Sequence, residues 1–189
     1  MRVDLYDFDK TVFPCDSTTK FWRFCLVKKP KIIKHLPHQI KAAIVYFLCK
    51  KDLTYLKSEF LCFAKTIDVN EMAELFWDKN SDKIYKWFLP ENRKNPAIVI
   101  SASPEFILKP ICERLQVYKL IATKTNSDGK IVGVNCKGAE KVKRLNAEMT
   151  DIEVENVYSD SISSDKYIFE LGEKMYNTIK GEIILLEKL

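Results

Sequence analysis

Apolar and polar positions alternate between two regimes along the chain. Short β-prone apolar runs of strand length stand at residues 3–8, 97–101, 117–123 and 154–159, with another from 175 onward. Continuous runs such as 97–101 are what a parallel sheet covered on both faces requires. Over 103–115, 138–149 and 167–171 the large apolar residues recur instead at three- and four-residue spacing, which predicts helices. Ser103-Pro104-Glu105 reads as an N-cap, a first-turn proline and an early acid. Asn126-Ser127-Asp128-Gly129 reads as a hairpin turn that leads into an extended stretch over 131–134. Strands alternating with helices predict an α/β core, a doubly wound, Rossmann-like parallel sheet.

From residue 16 to 93 the pattern is helical throughout. Asp16-Ser17-Thr18 offers an N-cap before Phe21, Trp22, Cys25 and Leu26, and Pro30 and Pro37 interrupt and restart helices near Ile32 and Ile40. The same spacing continues over 53–63, 69–77 and 81–88, ending at Pro90, and no glycine falls in the segment. It reads as a compact insertion of four or five helices, closed by the polar, proline-bearing linker 91–96. The expected organisation is an α/β core of residues 1–15 plus 94–189 carrying an all-helical cap domain of residues 16–93.

Composition narrows the class. With 47% apolar and 12% aromatic residues, the chain can bury a sizeable core, and its 30% charged residues are too well mixed with apolar ones for disorder. Charge is regional: residues 20–51 hold nine Lys or Arg and no acid, which against a net +5 leaves the remainder at −4. Six scattered cysteines without a CxxC pair fit neither a disulfide scaffold nor a zinc site, so each is read as a small buried hydrophobe. The longest apolar run, residues 42–49, is far below the ~20 residues of a membrane span, and no signal peptide precedes the first strand. The expectation is a reduced, soluble, cytoplasmic protein.

The chemistry gathers at the predicted strand ends. Asp7 and Asp9 close the first strand with Thr11 two residues on, Ser101 closes the second, and Asp160 follows the strand at 154–159. If these strands run parallel, their ends meet in one crevice, where open α/β sheets bind ligands. Two carboxylates converging there repel unless a cation sits between them, and hard oxygen donors suit Mg²⁺. Hydrolysis of a phosphate monoester needs a nucleophile in line, neutralisation of charge and a proton donor for the leaving oxygen. An aspartate can attack directly.

DxDxT at residues 7–11, an apolar strand ending in Ser101, Lys141 after Gly138, and Ser159-Asp160 followed by Asp165 together resemble, in order, the four motifs of the haloacid dehalogenase-like hydrolase superfamily. A helical insertion between the first two motifs is similar to the phosphoserine-phosphatase-like branch. The resemblance spans nearly all of the chain. It implies that Asp7 is the nucleophile and Asp9 the general acid/base. It also implies Mg²⁺ as cofactor, held by the Asp7 carboxylate, the Asp9 main-chain carbonyl and Asp160, with Asp165 holding a metal-bound water or Lys141. Ser101, the backbone N–H of Ala102 and Lys141 would bind the phosphoryl group. Thr11 falls in the same phosphate-binding set, chiefly as a stabiliser of the loop. Two features depart from the usual pattern: Asp165 follows Asp160 by five residues where many members have four, and Lys137 competes with Lys141 for the third motif. A helix starting near Gly138 favours Lys141.

The function implied is a Mg²⁺-dependent phosphatase acting on a small phosphorylated metabolite through an aspartyl-phosphate. The basic segment 20–51 interleaves lysines with Ile32, Ile33, Leu36, Ile40, Ile44, Val45, Phe47 and Leu48. It reads first as an amphipathic cap with solvated lysines. The alternative is a membrane-surface lipid-phosphate phosphatase or lipid-binding protein, its cap drawn to anionic headgroups. Nucleic acid is not an expected partner, since the remainder of the chain is acidic and carries no recognition motif. His35 and His38 read as surface or packing residues.

Overall fold

The structure, a computed structural model, describes residues 1–187. The core strands are β1 (Arg2–Tyr6), β2 (Ala97–Pro104), β3 (Lys119–Thr123), β4 (Glu153–Ser159), β5 (Lys174–Ile179) and β6 (Glu182–Leu186), arranged β3-β2-β1-β4-β5-β6 in one sheet. Every pairing is parallel except β5 with β6. From β1 the chain builds outward through β2 to β3, then returns to lay β4 on the other side of β1. The order of growth reverses there, which opens a crevice at the C-terminal ends of β1 and β4.

Side chains alternate along the central strands, so each face builds its own apolar layer. Val3, Leu5, Ile98 and Ile100 pack with Leu145, Ile168 and Phe169 from helices α6 (Ala139–Glu148) and α7 (Lys166–Phe169). Ala97 and Val99 face the other layer, with Ile107, Leu108 and Ile111 of helix α5 (Glu105–Arg114).

The predicted helical segment lies over that second face. It comprises α1 (Ser17–Lys28), α2 (Leu36–Leu48), α3 (Leu53–Phe60) and α4 (Val69–Asp78), separated by 3-10 turns at Pro30–His35 and Leu61–Thr66 and followed by three short ones up to Asn92. Asp16, Asp52 and Asp68 cap α1, α3 and α4 with their carboxylates. The segment joins the sheet through aromatic contacts. Phe13, from the loop after β1, lies 5.1 Å from the Trp77 ring, and Trp77 Nε1 donates to the Ile107 carbonyl at 2.6 Å.

Three local expectations change. Ser103 does not cap α5, because β2 overshoots with a register shift between Ser101 and Pro104, and the helix starts at Glu105. Residues 126–130 form the expected turn, closed by Gly129 N–H to the Asn126 carbonyl at 3.0 Å, but 131–134 make no strand beyond one bridge, Thr125 to Ile131. That arm instead meets α3: Ile131 N–H donates to Ser58 Oγ at 3.2 Å and Asn135 N–H to Thr54 Oγ1 at 3.2 Å. Gly129 allows this docking, since a Cβ there would stand 2.3 Å from the Leu61 carbonyl oxygen. Finally, β6 adds an antiparallel edge through the two-residue turn Lys180-Gly181, both at positive φ as a type I′ hairpin requires.

The register between β1 and β4 slips by one between Val3 and Asp4: Val3 pairs with Val154, Asp4 with Asn156. The buried Asp4 carboxylate fills the irregularity, Oδ1 accepting from the Asn156 backbone and side chain at 3.1 and 2.8 Å and from Asn95 Nδ2 at 3.0 Å. All six cysteines are free, and four of them are buried. Among the described residues no helix is long and apolar enough to cross a membrane.

Candidate active site

Directly after β1, the Asp7 N–H donates to the Tyr158 carbonyl at 2.9 Å, carrying the ladder with β4 one residue further. Its carboxylate then points into the crevice. Oδ1 accepts from Lys141 Nζ at 2.7 Å and Oδ2 from Thr11 Oγ1 at 3.4 Å. The same Thr11 oxygen accepts the Asp160 N–H at 2.9 Å, so one hydroxyl ties the loop after β1 to the loop after β4. Thr11 is fully buried and does not line the cavity, so it braces the site from behind and is not in reach of a substrate. To turn the chain there, Lys10 takes φ +60°, a conformation that is uncommon for a residue with a Cβ.

Asp9 faces a different wall. Its Oδ2 accepts from Ser103 Oγ at 2.5 Å and its Oδ1 from the Ser17 N–H at 2.8 Å, which pins it between the end of β2 and the start of α1. Ser101 Oγ accepts the Ser103 N–H at 3.1 Å. Lys141, on the first turn of α6, is only 2% exposed and bridges Asp7 and Asp165, with Asp165 2.8 Å away. Ser159 also donates to Asp165 at 2.6 Å. Lys137, the competing candidate, is exposed at the rim.

Asp7, Asp9, Ser101, Ala102, Lys141, Asp160 and Asp165 thus line one cavity of about 360 Å³. Its charges are unevenly matched. Burial would lower the Lys141 ammonium, but Asp7 and Asp165 outweigh that and hold its pKa up. Shared between two carboxylates, that single cation leaves Asp7 under-compensated, and burial pushes the Asp7 carboxyl up to about 7. Burial also raises Asp160, against the pull of Lys10, and raises Asp9 against its hydrogen bonds from Ser103 and Ser17.

A family model described as haloacid dehalogenase-like hydrolase matches residues 5–168. The chain belongs to the haloacid dehalogenase-like hydrolases. Solved structures share the fold of this hydrolase at low identity. A Bordetella pertussis Tohama I protein of unknown function is 18% identical with a TM-score of 0.72, covering 92% of this chain and 88% of its own. A phosphoserine phosphohydrolase-like protein from Francisella tularensis subsp. tularensis SCHU S4 is 15% identical with a TM-score of 0.56, over 93% and 86% of the two chains. A phosphoserine phosphatase in its apo form is 16% identical with a TM-score of 0.53, over 92% and 84%. No curated protein matches the sequence.

The hydrolase also brings in side chains that motif spacing does not reveal. Lys57 of α3 reaches from the helical segment to donate to the Ala102 carbonyl at 2.9 Å, and burial lowers its ammonium pKa. Asp16, Leu53, Lys10, Ser161 and Ser164 complete the wall. Ser103 holds Asp9, with Ser17 and Thr18 hydroxyls at 3.0 and 2.9 Å from its own. A serine at a strand end and a lysine on an amphipathic helix have no local signature, so only the folded chain exposes their place.

The donor set fits a hard divalent cation. Asp7 and Asp160 present carboxyl groups whose pKa values burial raises despite the neighbouring lysines, which is an environment Mg²⁺ would relieve. Among the described residues no three acidic, histidine or cysteine side chains form a ready-made cluster. A site completed by a main-chain carbonyl does not need one.

Proposed function

We propose that this hydrolase is a Mg²⁺-dependent phosphatase of phosphate monoesters working through an aspartyl-phosphate on Asp7. The observation that carries the reading is the meeting of Asp7, Asp9, Ser101, Lys141 and Asp160, from four separate parts of the chain, around one cavity at the sheet's switch point. In the first step an Asp7 oxygen attacks phosphorus as the ester P–O bond breaks, and protonated Asp9 gives its proton to the leaving oxygen. In the second, Asp9 takes a proton from water, which attacks phosphorus and releases the Asp7 carboxylate. Ser101 and the Ala102 N–H hold phosphoryl oxygens, and Lys141 neutralises phosphate while keeping Asp7 oriented against Asp165. The Asp7 and Asp160 carboxylates with the Asp9 carbonyl would hold Mg²⁺, and Asp165 anchors Lys141. The bound ion supplies charge neutralisation at the phosphoryl group.

The same reading treats residues 16–93 as a cap over a core of 1–15 and 94–189, its Lys57 and Asp16 closing the cavity above the phosphate. A small phosphorylated metabolite is the substrate class. Asp7→Asn keeps the shape of the side chain and removes the nucleophile. Turnover of an aryl phosphate is expected to fall at least about a hundredfold, about 2.7 kcal/mol of barrier, with an unchanged melting profile. A variant keeping more activity than that would remove Asp7 from the role.

A further inference from the structure

A second cavity, about 460 Å³, lies in the helical segment. Its wall is almost wholly apolar: Trp22 of α1, Leu36, Ile40 and Ala43 of α2, Leu56 and Phe60 of α3. The Trp22 and Phe60 rings stand 5.7 Å apart at its side. This groove is not separate from the catalytic cavity. Asp16, Leu53 and Lys57 line both, so the space for a phosphate and the space for an apolar group adjoin across three residues.

One residue of its wall, Ile40, belongs to an unusual helix face. In α2 the buried positions are Gln39 and Ala42, while Ile40 and Ile44 are each 52% exposed, Phe47 75% and Leu48 77%. The apolar stripe therefore looks outward, and the residues around it in the chain are basic without one acid from 20 to 51. A surface that is apolar along the helix and positive beside it, leading into a phosphate-handling cavity, matches a molecule with an anionic head and a hydrocarbon tail.

We propose that this groove seats the hydrocarbon chain of the substrate, so that the hydrolase acts on amphiphilic phosphate monoesters whose phosphate reaches Asp7 while the chain lies between α1, α2 and α3. The proposal names the substrate class of the phosphatase reading and rests on it. Lys57 sits where head and tail meet, and Leu53 forms the threshold between the polar and apolar spaces.

The test is a series of n-alkyl phosphates from ethyl to decyl, used below their micelle concentrations with Mg²⁺. The ratio kcat/KM is expected to rise about two- to fourfold per methylene seated, the upper value being about 0.8 kcal/mol converted to a rate ratio. Ala43→Phe, which narrows the groove, and Ile40→Asp, which charges its open rim, are each expected to flatten that slope. A flat series in the parent protein, or a slope untouched by both variants, overturns the proposal. Ethyl- and decylphosphonate, whose C–P bond is not hydrolysed, separate the two layers of the argument through quenching of Trp22 fluorescence, with Trp22→Phe as the control. Tighter decylphosphonate binding without any ester turnover would keep the groove and remove the phosphatase. Turnover with equal affinity for the two phosphonates would keep the phosphatase and remove the groove. A dimer in light scattering that Ile40→Asp dissociates would assign this face to a second copy of the chain and also overturn the proposal.

Discussion

Asp9 is half-buried and held from both sides, and this sets how its proton behaves. Its two oxygens already accept from Ser103 and Ser17, yet burial outweighs those bonds and raises its pKa above the ordinary carboxylate range. A raised pKa means the proton is kept to higher pH, so the acid form is lost as pH climbs through that value. Leaving-group protonation should then fade on the alkaline side, more for an alkyl phosphate, whose alkoxide needs the proton, than for p-nitrophenyl phosphate, whose phenolate does not. Profiles of kcat against pH for the two substrates check this; superimposable alkaline limbs would remove Asp9 as the acid. Asp7, Asp9 and Asp160 were legible in the sequence because a buried strand end fixes where the next side chains go. Lys141 was legible through its distance from Gly138. Ser103 was misread as a helix cap because Ser-Pro-Glu is good capping chemistry, and only the shift in β2 turns its hydroxyl toward Asp9.

Among the elements, α2 is sparsely buried for its length. It buries only Gln39 and Ala42, whereas α4 buries Met72, Ala73, Phe76 and Trp77 in the layer shared with the sheet. Its ties to α3 are few: Gln39 Nε2 to the Phe60 carbonyl at 2.7 Å and His38 to Glu59 at 2.6 Å. Local opening costs little where few apolar contacts must break, so amides of α2 are expected to exchange with deuterium at least tenfold faster than those of α4. Equal protection would show that α2 opens only with the whole fold. Helical spacing predicted these elements well because large side chains punctuate them every third or fourth residue. The reading of extended runs failed over 131–134, where Ser58 and Thr54 hydroxyls from α3 take backbone donors that a neighbouring strand would have used. It also stopped short of β6, although Lys180-Gly181 is itself a tight-turn signal.

At the scale of the whole molecule, the cavity ties the first residues of the chain to those near 160. Carboxylates whose pKa values are raised in the folded state cost stability once pH exceeds those values, because the charged form is the disfavoured one, and Asp7 and Asp160 are both of this kind. A cation bound between them should recover it. At about a hundred times its dissociation constant Mg²⁺ adds about 2.7 kcal/mol, and Tm at neutral pH is expected to rise by roughly 5–10 °C, reversed by a chelator and much reduced in Asp160→Asn. A Tm indifferent to millimolar Mg²⁺ would argue against the site.

The irregularity at Val3 and Asp4 reaches further than its position suggests. By skipping Glu155, it sets β4 one step along β1, and everything beyond inherits that stagger, including Tyr6 opposite Tyr158 and Asp7 bonded to its carbonyl. A strand displaced by one residue turns each of its side chains to the opposite face. Were the stagger lost, Asp160 would leave Asp7 altogether. The alignment of the two acids is therefore indexed at the far half of the strand, by an aspartate and two asparagines that no substrate touches.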